Sequence, residues 1–258
     1  MVFKFMGKFS CVVLGWCLLV SGIAAPALAV DAALNALPFV KKMQLAKAGD
    51  PDAKMAVGEA YETGNDAKLD PAKAAKWYRE AALEGNVEAQ FRLAKLVSKG
   101  APGLVADKPT ALKLLQATAK LGHPAAQNLL GQMLQNGDGT TKDEKQAASW
   151  YQKSADQNNA VAQNNLGVLY LKGLGVDRDI SKAFGLFESA SKAEEGWALN
   201  NLGGMYEMGW GTSKDIEKAK AYYSRAAAKG ITMATQNLTR LGVASVTTGT
   251  LPEIKPAQ

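Results

Sequence analysis

The chain has 258 residues, 47% hydrophobic and 21% charged, a globular composition with enough apolar side chain for a substantial core, and disorder is excluded as its overall state. Thirty basic residues against 24 acidic ones give a formal charge of +6, an excess too scattered along the chain to mark a nucleic-acid binder. Two cysteines and one histidine leave little material for thiol or metal chemistry.

The first 29 residues read as a signal peptide. Lys4 and Lys8 precede the apolar run "FSCVVLGWCLLVSGIAA", and "PALA" places Ala27 and Ala29 at the small-residue positions of a cleavage site, which predicts a mature start at Val30. The run is short for a spanning helix, so a retained membrane anchor is the weaker reading and no integral anchor is expected after cleavage. Cys11 and Cys17 both fall in the leader, and Trp16 before Cys17 does not fit a lipoprotein signal. The mature chain then holds no thiol and 28 basic against 24 acidic residues, a net +4 read as a solvated surface. Its expected location is periplasmic or secreted, where nucleic acid is not an expected partner.

From "FVKKMQLAKAGD", Phe39 to Asp50, the chain is periodic. Ala53, Ala89, Ala126, Ala162, Ala198 and Ala234 recur at 36 or 37 residues, and Asp70, Asp107, Asp143, Asp179 and Asp215 are each followed four residues on by alanine. A fixed period of this size marks a solenoid. In "AQNNLGVLY", Ala162, Leu166, Leu169 and Tyr170 make one helical stripe, which predicts a helix A in each copy. Glycines at 64, 100, 137, 173 and 209 are expected to stop it with positive φ, and Gly139, Gly175 and Gly211 repeat the signal.

The recurring aspartate suits the N-cap of a helix B. That helix carries a bulky pair, Trp77-Tyr78, Leu114-Leu115, Trp150-Tyr151, Leu186-Phe187 or Tyr222-Tyr223, expected in the core. The solenoid is read as residues 30–242, with repeats at about 50–85, 86–122, 123–158, 159–194 and 195–230. Half-repeats at 39–49 and 231–242 cap its ends. Residues 243–258 lose the period, carry Pro252 and Pro256, and are read as a disordered tail.

The pattern of alanine, "LG", tyrosine and "GxG", then "DxxKA", an aromatic pair and "AAxxG", resembles the Sel1-like repeat, a relative of the tetratricopeptide repeat. The second copy departs most, with Ala94 for the glycine, Val97 for the tyrosine and "GAPGLVAD" for the loop. The resemblance implies an all-α, right-handed α-solenoid of about five helix-turn-helix repeats, with the A helices lining a concave face that holds proteins or peptides. Many members bridge their helices with disulfides, which the mature chain cannot do.

By the same resemblance, two columns of helix A lie at or near that face. One reads Met55, Phe91, Asn128, Asn164, Asn200 and Gln236; the other reads Ala56, Arg92, Leu129, Asn165, Asn201 and Asn237. Asparagine amides spaced one repeat apart suit an extended peptide backbone. The column of Asn165 and Asn201 equally suits a role in fixing the stack, whereas Asn164 and Asn200 are expected to be exposed and to meet the ligand. Phe91, Arg92 and Lys95 put an aromatic and two cations into the second copy, as partner anchors or as marks of a degenerate repeat.

No catalytic, metal or cofactor residues are expected. His123 occupies the place of Asp50 and reads as a cap, without an evident carboxylate partner. The expected role is that of an exported, monomeric adaptor for a protein or extended peptide. The alternatives are a fixed component of an envelope assembly for motility, secretion or polysaccharide export, or a cell-wall hydrolase.

Overall fold

The computed structural model describes residue 34 and residues 36–243. The expected leader, with Cys11 and Cys17, and the tail from residue 244 lie outside the described residues. Twelve helices are named among the described residues: α1 (Phe39–Lys47), α2 (Pro51–Thr63), α3 (Pro71–Leu83), α4 (Val87–Lys99), α5 (Lys108–Lys120) and α6 (Pro124–Asn136) come first. They are followed by α7 (Glu144–Ala155), α8 (Ala160–Lys172), α9 (Ile180–Lys192), α10 (Gly196–Met208), α11 (Ile216–Ala228) and α12 (Thr232–Arg240). Even-numbered helices are the A helices of the sequence pattern and odd-numbered ones the B helices. Each helix packs chiefly on its neighbours in sequence, so the fold is an all-α repeat solenoid.

Capping sets the helix starts. Asp70, Asp107, Asp143, Asp179 and Asp215 each accept the amide of the residue three positions on, as expected for helix B. Helix A starts on Asp50, Asn86, His123, Asn159 or Glu195, whose side chains accept the amides of Ala53, Ala89, Ala126, Ala162 and Ala198. Helix A ends on left-handed glycines at 64, 137, 173 and 209. In the second copy Gly100 also has positive φ, but its ψ of 171° sends the chain out extended. Ala101 and Leu104 then exchange backbone hydrogen bonds across Pro102-Gly103, which closes the odd loop.

The core follows a size rule that differs by copy. Ala53, Ala89, Ala126, Ala162, Ala198 and Ala234 are all fully buried, letting helix backbones approach. A Cβ placed on Gly58, Gly131, Gly167 or Gly203 would lie 2.6–2.8 Å from the ring of Tyr78, Tyr151, Phe187 or Tyr223. Where the chain has Ala94 instead, the facing residue is Leu115. The glycine thus makes room for a ring, and the alanine goes with the smaller partner. The phenol groups show the same matching: Tyr78, Tyr151 and Tyr223 donate to Glu62, Gln135 and Glu207, each sixteen residues earlier. Leu115 and Phe187 have no hydroxyl, and the positions of those acceptors hold Ser98 and Leu171 in their repeats.

A third pairing ties helix A to helix B from outside. Lys73, Lys182 and Lys218 sit 5.2–5.4 Å from the ring centres of Tyr61, Tyr170 and Tyr206. The second and third copies lack both partners, having Val97 with Thr110 and Leu134 with Gln146.

Candidate functional site

From α4 onward, each A helix leaves one stripe uncovered by the stack, at spacing i, i+4, i+7 and i+11, whereas on α2 the corresponding Ala56 is buried. On α4 it holds Glu88, Arg92, Lys95 and Lys99; on α8 it holds Val161, Asn165, Val168 and Lys172; on α10 it holds Trp197, Asn201, Gly204 and Met208. Met233, Asn237 and Arg240 continue it on α12. All of these are exposed or half-buried, while the opposite sides of the same helices carry the buried residues.

The two asparagine columns meet one another. Asn165 Nδ2 donates to Asn128 Oδ1 at 3.0 Å, Asn201 to Asn164 at 2.9 Å, and Asn237 to Asn200 at 3.3 Å. Each rung joins an A helix to the A helix of the next repeat. The expectation for Asn164 and Asn200 is corrected: they are buried, at 6% and 5% exposure, whereas Asn128, Asn165, Asn201 and Asn237 are half-buried. The reversal has a steric cause, because Asn164 and Asn200 point toward the following helix and their carbonyls receive its amides. Each rung uses one donor and one acceptor, so the half-buried amides keep hydrogen-bonding capacity on the open side.

The charged end is also internally satisfied. Arg92 Nε pairs with Glu88 at 2.7 Å, while its Nη1 lies 3.0 Å from Glu59 and 3.6 Å from Glu62. Phe91 stacks on the His123 imidazole with ring centres 4.7 Å apart. His123 Nδ1 accepts the Ala126 amide, which leaves the proton on Nε2, and Nε2 donates to Glu88 Oε2 at 3.0 Å. The imidazole is therefore the cap expected of it, with a carboxylate partner that sequence inspection did not find. The hydrogen bond from His123, aided by Arg92 against the cost of burial, holds the Glu88 carboxyl at about 2. Lys95 is exposed on the same stripe.

What sequence reasoning missed is apolar. Val161, Trp197, Met208 and Met233 are 47%, 48%, 56% and 51% exposed, and all lie on the open stripe of the C-terminal half. Met233 touches the rung beside it, with its sulfur 3.9 Å from Asn200 Nδ2. The signal was present one position before each recurring alanine, where the column reads Asp52, Glu88, Ala125, Val161, Trp197 and Met233. It passes from acidic to apolar along the chain, so the open face has a charged end and an apolar end.

A family model described as Sel1 repeat matches residues 51–86, 87–123, 124–159, 160–194 and 198–231. No curated protein matches the chain. Among solved structures, a Sel1 repeat protein from Oxalobacter formigenes is similar, with 28% identity, a TM-score of 0.70, and coverage of 80% of this chain and 93% of that one. A protective antigen present in uropathogenic Escherichia coli strains, displaying an SLR fold, is 25% identical with a TM-score of 0.60. The match covers 81% of this chain and 53% of the antigen, so this chain spans about half of that protein. An immunity protein from Pseudomonas aeruginosa is 26% identical with a TM-score of 0.52, over 74% of this chain and 70% of that one.

Proposed function

Since the chain belongs to the Sel1 repeat family, a bacterial family whose members generally mediate protein–protein interaction, we propose that it is an exported adaptor that holds a partner protein's extended segment on its open A-helix face. The observation that carries this reading is the exposed row of Val161, Trp197, Met208 and Met233 beside the asparagine rungs. Apolar side chains left in water next to unused amide donors and acceptors suit a peptide that buries its own side chains and pairs its backbone. Asn128, Asn165, Asn201 and Asn237 are the amides with that capacity; Asn164 and Asn200 act through them by setting the rungs. Phe91 and Arg92 shape the charged end, and Lys95 meets solvent there.

Export rests on the leader composition, and a periplasmic or secreted location follows from it. No helix among the described residues is long and apolar enough to cross a membrane.

Photo-crosslinking in the native cell tests the face. A probe replacing Trp197 is expected to yield one dominant protein adduct that a probe at Lys153, on α7, does not. Identical adducts from both positions, or none from Trp197 under conditions where the chain is abundant, would remove the apolar end from the binding surface.

A further inference from the structure

On the other side of the stack, α3, α4 and α5 line an open cavity of about 270 Å³. Its α4 residues include Leu93 and Val97, which lie opposite the Arg92 stripe on the helix surface, so the cavity is separate from the open face already described. Leu114 of α5 forms another wall, Leu83 of α3 the rim, and Arg79 stands beside it.

Comparison among the chain's own repeats shows why there is space here. The places of Val97 and Leu114 are taken by Leu134 and Trp150 in the third repeat and by Tyr206 and Tyr222 in the fifth. In the fifth repeat those two rings stack with centres 5.5 Å apart and planes 7° from parallel, filling the junction. The other four repeats each have at least one ring at these two positions, and the second has none, so the missing volume is that of an aromatic ring. The rim is equally unusual. Leu83 is 82% exposed where the next three repeats place Lys120, Asp156 and Lys192. Arg79 stands where they place Gln116, Gln152 and Glu188, and it has no salt bridge or side-chain hydrogen bond among the described residues.

We propose that this cavity receives the aromatic side chain of a partner protein in which a carboxylate neighbours that aromatic residue. The ring fills the space between Leu93, Val97 and Leu114, covering Leu83, while the carboxylate pairs with Arg79. An apolar cavity of this size is close to the lower limit for specific sites and suits one ring rather than a larger ligand. A guanidinium without an internal partner at an apolar mouth selects an acidic group over a neutral one, and its planar fork matches a carboxylate.

The test uses the full chain with assigned methyl resonances, titrated with three capped peptides, Gly-Trp-Glu-Gly, Gly-Trp-Gln-Gly and Gly-Ala-Glu-Gly. The first is expected to shift the methyls of Leu83, Leu93, Val97 and Leu114 saturably, the second to bind about two- to fivefold more weakly at low salt, and the third to leave them unmoved. Leu114→Trp and Val97→Tyr each install a residue the chain already uses at the equivalent place, so the fold tolerates them, and each is expected to abolish the shifts. Arg79→Gln is expected to erase the preference for the Glu peptide while keeping the ring bound. Absence of saturable shifts at millimolar peptide, or shifts undiminished in both filled variants, would overturn the site. Equal binding of the Glu and Gln peptides by the unaltered chain would overturn the role of Arg79. None of these outcomes depends on the open A-helix face.

Discussion

Glu88 shows how much a single carboxylate carries in the second repeat. It accepts from His123 and Arg92 at once, linking the cap of α6 to the charged end of the open stripe. Its folded carboxyl lies at about 2, below the ordinary value of 4.5, so its contribution to stability is fully present above about 4.5 and fades as pH falls toward 2. Glu88→Gln removes that contribution at neutral pH. The difference in unfolding free energy between the unaltered chain and the variant is therefore expected to shrink from pH 4.5 to pH 2 in urea titrations. A difference independent of pH across that window would show that the carboxylate is not held by these partners. The cap itself was legible in the sequence from the position His123 shares with Asp50. Its bond to Glu88 was not, because 35 residues separate them and only the stacking of α4 on α6 closes the gap.

At the scale of the element, each A–B pair is specified by matched sizes. Gly167→Ala places a Cβ 2.7 Å from the Phe187 ring. Overpacking of this kind costs about 1–3 kcal/mol, against which the better helix propensity of alanine returns up to about 1 kcal/mol. The chain's own second repeat shows the remedy, since Ala94 packs with Leu115. The double variant Gly167→Ala/Phe187→Leu is thus expected to lose less stability than the sum of its parts, with a coupling of about 1 kcal/mol or more in a double-mutant cycle. Additive losses would mean that the glycine is needed for something other than the ring. The loop glycines serve the junction between repeats instead. A side chain on Gly175 would run into the backbone at Glu144, the start of the preceding B helix.

For the whole molecule, stability is the sum of many near-identical junctions between sequence neighbours. Deleting residues 159–194 joins Asn158 to Glu195, which replaces one helix A cap by another and brings Asn201 to the place of Asn165, within reach of Asn128. The shortened chain is expected to unfold in one cooperative transition, with a denaturant slope reduced roughly in proportion to the lost surface. A collapse of cooperativity would show that the fourth repeat is not interchangeable with its neighbours. The same stacking divides the surface: the open A-helix face changes from charged to apolar along the chain, and the junction of α3, α4 and α5 keeps a cavity on the other side.

Alanine columns at a fixed period, capping aspartates and glycine stops were enough to determine the family and the helix order, because each acts over a few residues and recurs; of each bulky pair expected in the core, the second member is buried and the first half-buried. The tertiary structure alone decided which amides face solvent. Neighbouring positions such as Asn164 and Asn165 differ by one helical step of about 100°, and only the placement of the next A helix shows which of the two it covers. It also decided that Arg92 is enclosed by three carboxylates rather than free for a partner, since Glu59 and Glu62 reach it from the preceding repeat. Periodicity records what every repeat shares; the sites lie where repeats differ, and those differences acquire meaning only when neighbouring helices are set side by side.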